Sequence, residues 1–305
     1  MRFIPLILLL TGSYSLAISQ QPVLALDGNP LTPPRESAEI TQKKQAELEA
    51  AEQAFSNDPN DVDNIIWFGR RLAYAWEFDK AIQMFTYGIN LFPNNPHLYR
   101  HRGHRFITTR QFDRAISDLE HATRLAQNMP LEVEPDGQPN SKNIPLSNLH
   151  FNIYYHLGLA YYLTANYEQA AKAYRKCLQY SNNDDLLCAT TDWLYMTLCR
   201  QGKMTEASQL LEPIKEKMTI IENESYHQRL LMYKGLRKPE DLFPGKSGNE
   251  DETLNLITQG YGVANFYYCT GKKEQAQDIL QKILRLDNWA AFGYIAAEAD
   301  LNRGL

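Results

Sequence analysis

Three stretches of this sequence repeat one spacing of small and large residues, with a unit of about 34 residues, and that spacing leaves little choice of fold. Residues 62–95 place Gly69, Leu72, Ala81, Phe85, Gly88 and Pro93 at local positions 8, 11, 20, 24, 27 and 32. Residues 96–129 answer with Gly103, Phe106, Ala115, Leu119 and Ala122, and residues 151–184 with Gly158, Tyr161, Ala170, Tyr174 and Cys177. Two antiparallel helices account for the pattern. They cross closely where positions 8, 20 and 27 are small, and large side chains at 11 and 24 fill the space between them. Proline at 32 cannot continue a helix and ends the second one. Neither helix can bury its apolar face alone, so the hairpins must stack. Composition agrees, because four valines against 18 tyrosines argue against a sheet-rich chain.

The spacing resembles the tetratricopeptide repeat (TPR). The resemblance implies an all-α fold, an α-solenoid of TPR helix-turn-helix hairpins, over residues 36–303. It is strong at 62–95, 96–127 and 151–184 and looser beyond. The unit 188–221 keeps Leu198, Ala207, Leu211 and Ile214 but has Tyr195 where glycine is expected, and 257–290 keeps Ala264, Tyr267, Ala276, Leu280 and Ile283. Between them, 222–256 is degenerate: a first helix over Tyr226–Tyr233 is followed by a Pro-, Gly- and charge-rich stretch at Lys238–Glu252. A capping helix is expected at 36–55 and a closing helix at 289–303. The chain also resembles an uncharacterised exported bacterial TPR family, which brings no activity with it.

Residues 1–19 read as an export signal: Arg2, an apolar run from Phe3 to Leu10, then small and polar residues. Small-residue rules allow cleavage after Ser19 or as late as Ala25. Gln20–Arg35, with four prolines before Arg35, reads as a linker. A periplasmic or secreted location follows, with an uncleaved, membrane-tethering segment as the alternative. No other stretch approaches the ~20 apolar residues of a membrane span. The net charge of −5 argues against nucleic acid as a partner.

The resemblance implies that the first helix of each repeat lines a concave groove through local positions 2, 5, 9, 12 and 13. The groove would then carry Arg70 and Tyr74, Arg100 and His104, Tyr155 and Tyr162, and Tyr261, with His101 on the same helix face as Arg100. Pro96–Arg110 holds four arginines, three histidines and no acid. A planar guanidinium fork suits a carboxylate. The expected function is therefore an exported scaffold that binds a protein or peptide with an acidic or C-terminal carboxylate segment in a basic, tyrosine-lined groove.

Other readings stay open. The insert at 128–150 contains Glu132, Glu134 and Asp136, which could fold back and neutralise the basic helix. His97, His101 and His104 have the spacing of a helical metal site, but neighbouring arginines repel a cation. A metal-binding or enzymatic protein built on helix 97–105 and the insert is one alternative; a self-associating envelope component is another. Arg102 stands at a normally apolar position and needs an acid, with Asp113 or Asp118 in reach. Cys177 and Cys188 could approach closely enough to bridge. No nucleophile elbow, zinc-protease motif, phosphate loop or dinucleotide fingerprint occurs, so neither a catalytic residue nor a cofactor is expected.

Overall fold

The computed structural model describes residues 22–243 and 250–305. The expected signal at 1–19 lies outside the described residues. A first helix, α1 (Ala38–Asn57), precedes hairpins formed by α2 (Val62–Tyr74) with α3 (Phe78–Leu91), α4 (Pro96–Thr108) with α5 (Phe112–Ala126), and α6 (Leu149–Leu163) with α7 (Tyr167–Leu178). Then come α8 (Asp184–Arg200) with α9 (Met204–Gln209), α10 (Glu224–Tyr233) with α11 (Pro239–Leu242), and α12 (Glu250–Cys269) with α13 (Lys273–Ile283). A last helix, α14 (Phe292–Asn302), follows. Asn or Asp caps start several first helices: the side chain of Asp61 accepts from Asn64, and that of Asn148 from Phe151. Two elements depart from the repeat. The helix α9 is short because Pro213 follows within four residues of its end. The helix α12 starts seven residues before the expected Ile257, within the stretch read as irregular.

The small positions do what the spacing demands. A Cβ added at Gly69 would lie 2.5 Å from the Phe85 ring, and one at Gly158 would lie 2.6 Å from Tyr174. Position 8 therefore meets position 24 of the same hairpin, and Phe85 and Tyr174 are fully buried. The turn between paired helices also repeats. At local position 15, Trp76, Arg110, Ala165, Gly202 and Gly271 all adopt left-handed backbone, as does Gly235 near the corresponding point of the degenerate unit. Glycine suits that conformation and other residues strain in it.

Two of the three non-glycine residues there have tertiary partners that explain them. The C-terminal helix α14 turns back across the concave face and packs on α12, α13 and α6. Its Glu298 takes Arg110 Nη2 at 2.7 Å, while Arg110 also donates to the Trp289 carbonyl at 3.0 Å. Trp76 packs against Trp289, ring centroids 5.1 Å apart, and its indole donates to Glu36 at 2.7 Å. The segment read as a linker joins the same junction, which corrects that reading. Its strands β1 (Val23–Leu24) and β2 (Pro30–Leu31) pair antiparallel, Leu26 N donates to Glu298, and Trp289 donates its indole N–H to the Thr32 carbonyl at 2.7 Å. Asp27 and Gly28 supply the turn, and Val23 and Leu31 pack on the core.

The anchor at the far end of α14 is Asp300. Wholly buried, it receives Arg200 at 2.6 Å, Arg303 at 2.6 Å and the Tyr261 hydroxyl at 2.9 Å. Arg102, the oddly placed guanidinium, pairs bidentately with Asp118 at 2.7 and 2.8 Å and reaches Thr86. Asp113 has no part in it.

Two turn substitutions separate backbone strain from tertiary closure. Ala165→Gly should raise stability by about 1 kcal/mol through relief of the left-handed alanine. Arg110→Gly relieves the same strain but leaves the Glu298 carboxylate without its counter-charge, and should cost about 3 kcal/mol net. Urea denaturation of both variants checks the opposite signs.

Candidate binding site on the concave face

The residues expected to line the groove divide into two groups. Tyr155, Tyr162 and Tyr261 do not face an open groove, which corrects that part of the expectation. Tyr162 and Tyr261 are completely buried and Tyr155 is 7% exposed. The physical cause is α14. Its Phe292 sits against Tyr155, His156 and His104, with centroids 6.3, 5.6 and 5.3 Å away. The Tyr162 and Tyr261 hydroxyls lie 2.8 Å apart in the network that ends on Asp300. Arg200 and Asn265 are bonded to each other in that network at 2.7 Å.

Arg70, Tyr74, Arg100, His101 and His104 do come together. Helices α2 and α4 lie side by side, and with Arg105 these side chains line a cavity of about 120 Å³. The insert is ordered and packs beside this cavity, on Arg70 and Arg100 of its lining. Val133 bridges Asn148, and Glu134 N donates to the Ser147 carbonyl at 3.0 Å, so the loop closes on the cap of α6. From there it crosses the ends of α4 and α2. Glu134, 5% exposed, takes Arg100 Nη2 at 3.0 Å and His97 Nδ1 at 3.2 Å, and accepts from the Asn152 amide. Arg70 donates to the Pro135 carbonyl at 2.9 Å, and Arg71 to the Gly137 carbonyl at 3.0 Å. At Gly137 the backbone presses so close that a Cβ would stand 1.9 Å from the Tyr74 hydroxyl. Of the three acids in the insert, Glu134 is the one that neutralises the helix most directly. Glu132 stays outside, 3.8 Å from His97 and half exposed.

Electrostatics follow from this arrangement. Burial would raise the Glu134 carboxyl, but Arg100, His97 and Asn152 outweigh it and hold it at about 2. Burial lowers His101 and His104 well below the ordinary 6.5, and the flanking arginines add to the effect. His156, stacked 4.3 Å from His104, is pushed down to about 3 by burial and Arg100. Arg100 Nη1 donates to His101 Nδ1 at 2.8 Å, which requires that nitrogen to be unprotonated. His97 and His101 both lie near Glu134 Oε1, at 3.2 and 4.0 Å, while His104 packs on His156; among the described residues no group that could hold a metal ion forms.

Arg105 is the member the residue pattern missed. Local position 10 lies outside the groove set, and the only signal was the acid-free run itself. Its guanidinium stands 5.8 Å over the Phe78 ring and has no carboxylate within ion-pair distance among the described residues. Burial pulls it down to about 10, with Arg100 and Arg70 adding to the effect and Tyr74 opposing it. Cys177 and Cys188, which the sequence left open as a bridge, are not bonded to each other. Cys177 contacts the Phe151 carbonyl and Thr190, Cys188 lies against Met218, and all four thiols are free. Among the described residues no helix is long and apolar enough to cross a membrane.

Stacked helical hairpins with an ordered insert and a returning terminal helix define an α-solenoid with a partly self-occupied concave face. Residues 151–184 match the family model described as tetratricopeptide repeat, and the hairpins on either side of that unit are all α-helical. No curated protein matches the sequence. Solved structures with a similar fold include YrrB, titled a TPR protein with an unusual peptide-binding site, at 15% identity over 85% of this chain and 100% of that one, TM-score 0.43. MamA is 16% identical over 66% of this chain and 92% of that one, TM-score 0.42. MamA 41-end from Desulfovibrio magneticus RS-1 is 18% identical over 57% and 89%, TM-score 0.43.

The buried histidines set an acid limit. Folded His156 binds a proton far less readily than in the unfolded chain, whose histidines titrate near 6.5. Its contribution is complete above about pH 6.5 and is lost as the pH falls toward about 3. Glu134 contributes above its ordinary 4.5 and loses that contribution toward about 2. Subtracting the stability curve of His156→Gln from that of the parent should therefore show a loss of about 2 kcal/mol at pH 5. Terms common to both proteins cancel, including that of Asp192, whose carboxyl burial pushes up.

Proposed function

We propose that this chain is an exported, non-catalytic protein-binding scaffold that takes an acidic side chain or C-terminal carboxylate of its partner between α2 and α4. The fold itself is of a kind built for protein–protein interaction, with an extended surface made by repeated hairpins. The observation that carries the finer reading is Arg105. It lines a cavity beside Arg70 and Arg100 and has no acid of its own among the described residues. Arg100 supports it further: its Nε is buried without a hydrogen-bond partner among the described residues. A carboxylate entering the cavity would meet a guanidinium fork from Arg105, and Tyr74 offers a ring and a hydroxyl at the rim.

Arg105→Glu tests this reading, because among the described residues Arg105 has no ion pair whose loss would unfold the protein. Hexaglutamate binding, followed by anisotropy at low salt, should weaken at least about tenfold with an unchanged melting temperature. Equal binding by both proteins would remove the cavity from the function. Export is supported by the leader-like sequence, and the position of processing by the hairpin that begins at Val23. Cleavage after Ala25 would cut β1 from its partner strand; the mature protein should therefore start at Gln20, as N-terminal mass spectrometry would record.

A further inference from the structure

The insert lies in the candidate site the way a ligand would. It is extended where it crosses α4 and α2, and its sequence there is Glu132-Val133-Glu134-Pro135-Asp136-Gly137. Its contacts are those a peptide makes in a recognition groove: one buried carboxylate on an arginine, and two backbone carbonyls accepting from side chains of the neighbouring helix. Glu134 lies 3.0 Å from Arg100, the Pro135 carbonyl 2.9 Å from Arg70, and the Gly137 carbonyl 3.0 Å from Arg71. A side chain at Gly137 would strike the tips of Tyr74 and Arg70, which would have to move. The outward face of this strap carries exposed Leu131, Val133 and Ile144, so apolar side chains remain in water while the acid goes in. That is the reverse of what burial of apolar surface would choose, and it marks the carboxylate as the anchoring group.

We propose that residues 132–137 are a built-in occupant of the α2–α4 site, and that the partner is an extended acidic segment that presents a carboxylate to Arg100 in place of Glu134. This deepens the carboxylate-capture reading and rests on it. The strap gives the partner's class: a Glu or Asp for Arg100, flanked by backbone that can accept from Arg70 and Arg71, with a small residue where the chain passes Tyr74. It also sets the affinity. A tethered segment competes at an effective concentration on the order of millimolar, so a free peptide binds the parent protein weakly until the strap is loosened.

Two substitutions loosen it differently. Glu134→Gln removes the anchoring charge, and Gly137→Val pries the backbone from Tyr74 while leaving every charge in place. The probe is a labelled peptide with the sequence of residues 130–139, added to the full chain and followed by anisotropy. Both variants should bind it at least about tenfold more tightly than the parent, and a peptide with Gln at the position of Glu134 should lose that binding. Hexaglutamate serves as the second probe. If it binds the parent as tightly as the variants, the strap is not an occupant of the site, yet carboxylate capture survives. If the strap peptide fails on both folded variants while hexaglutamate binds them, the assigned partner class is wrong. If neither probe binds any of the proteins, with native helical circular dichroism in all, both readings fall.

Discussion

Asp300 governs how this solenoid is used. A carboxylate with no solvent contact must be surrounded by donors, and Arg200, Arg303 and Tyr261 provide them. Those donors come from α8, α14 itself and α12, so the terminal helix must lie across the concave face to bring the acid to them. Once it lies there, Phe292 covers Tyr155 and His156, and Glu298 is positioned to receive Arg110 and the backbone of the N-terminal hairpin. One buried charge thus couples the last helix, the middle repeats and the first residues of the described chain. The C-terminal half of this face becomes an interior, and the cavity between α2 and α4 lies in its N-terminal half.

The remaining half is governed by a charge imbalance. Helix α4 and the turn after it contribute four arginines and three histidines with no acid between them, and the cations find different solutions. Arg102 turns away from the groove onto Asp118. Arg100 takes Glu134 from the insert, and Arg110 takes Glu298 from α14. His101 and His104 stay neutral because burial and the neighbouring guanidinium groups make a further positive charge costly. Arg105 alone of the four arginines has no such solution among the described residues. Within this run, Arg105 is therefore the arginine that faces the cavity without a carboxylate of its own.

Much of this was legible in the sequence, and for a physical reason. The period reports contacts that recur, and those are local: position 8 against position 24, position 15 as the turn. Gly69, Gly103 and Gly158 therefore announced their hairpins, and Arg102 announced an acid within the same hairpin. Contacts that occur once leave no periodic trace. Leu26 with Glu298, Trp76 with Trp289, and Arg200 with Asp300 join residues far apart in the chain, and nothing in the spacing points from one to the other. The tyrosines were placed correctly on first helices, yet the groove they were to line is filled by a helix whose destination the sequence did not disclose. The proline-rich stretch before Glu36 misled for the same cause, since its order is borrowed from α14.

The two internal carboxylates that sit on groove arginines are not equivalent, and the difference decides which could yield to a partner. Asp300 belongs to a helix, so to move it would expose the apolar face of α14 and strand a charge shared by two arginines and a tyrosine. Glu134 belongs to a loop tethered at both ends by α5 and α6. Releasing it frees loop conformations, and its buried carboxylate returns to water while Arg100 receives another acid in exchange. The closing entropy of such a loop grows only slowly with its length, so the tether itself neither prevents release nor makes return difficult. Under the proposed exchange, a carboxylate from outside would replace Glu134 with little net change in the charge around Arg100, whereas replacement of Asp300 would dismantle the helix that carries it.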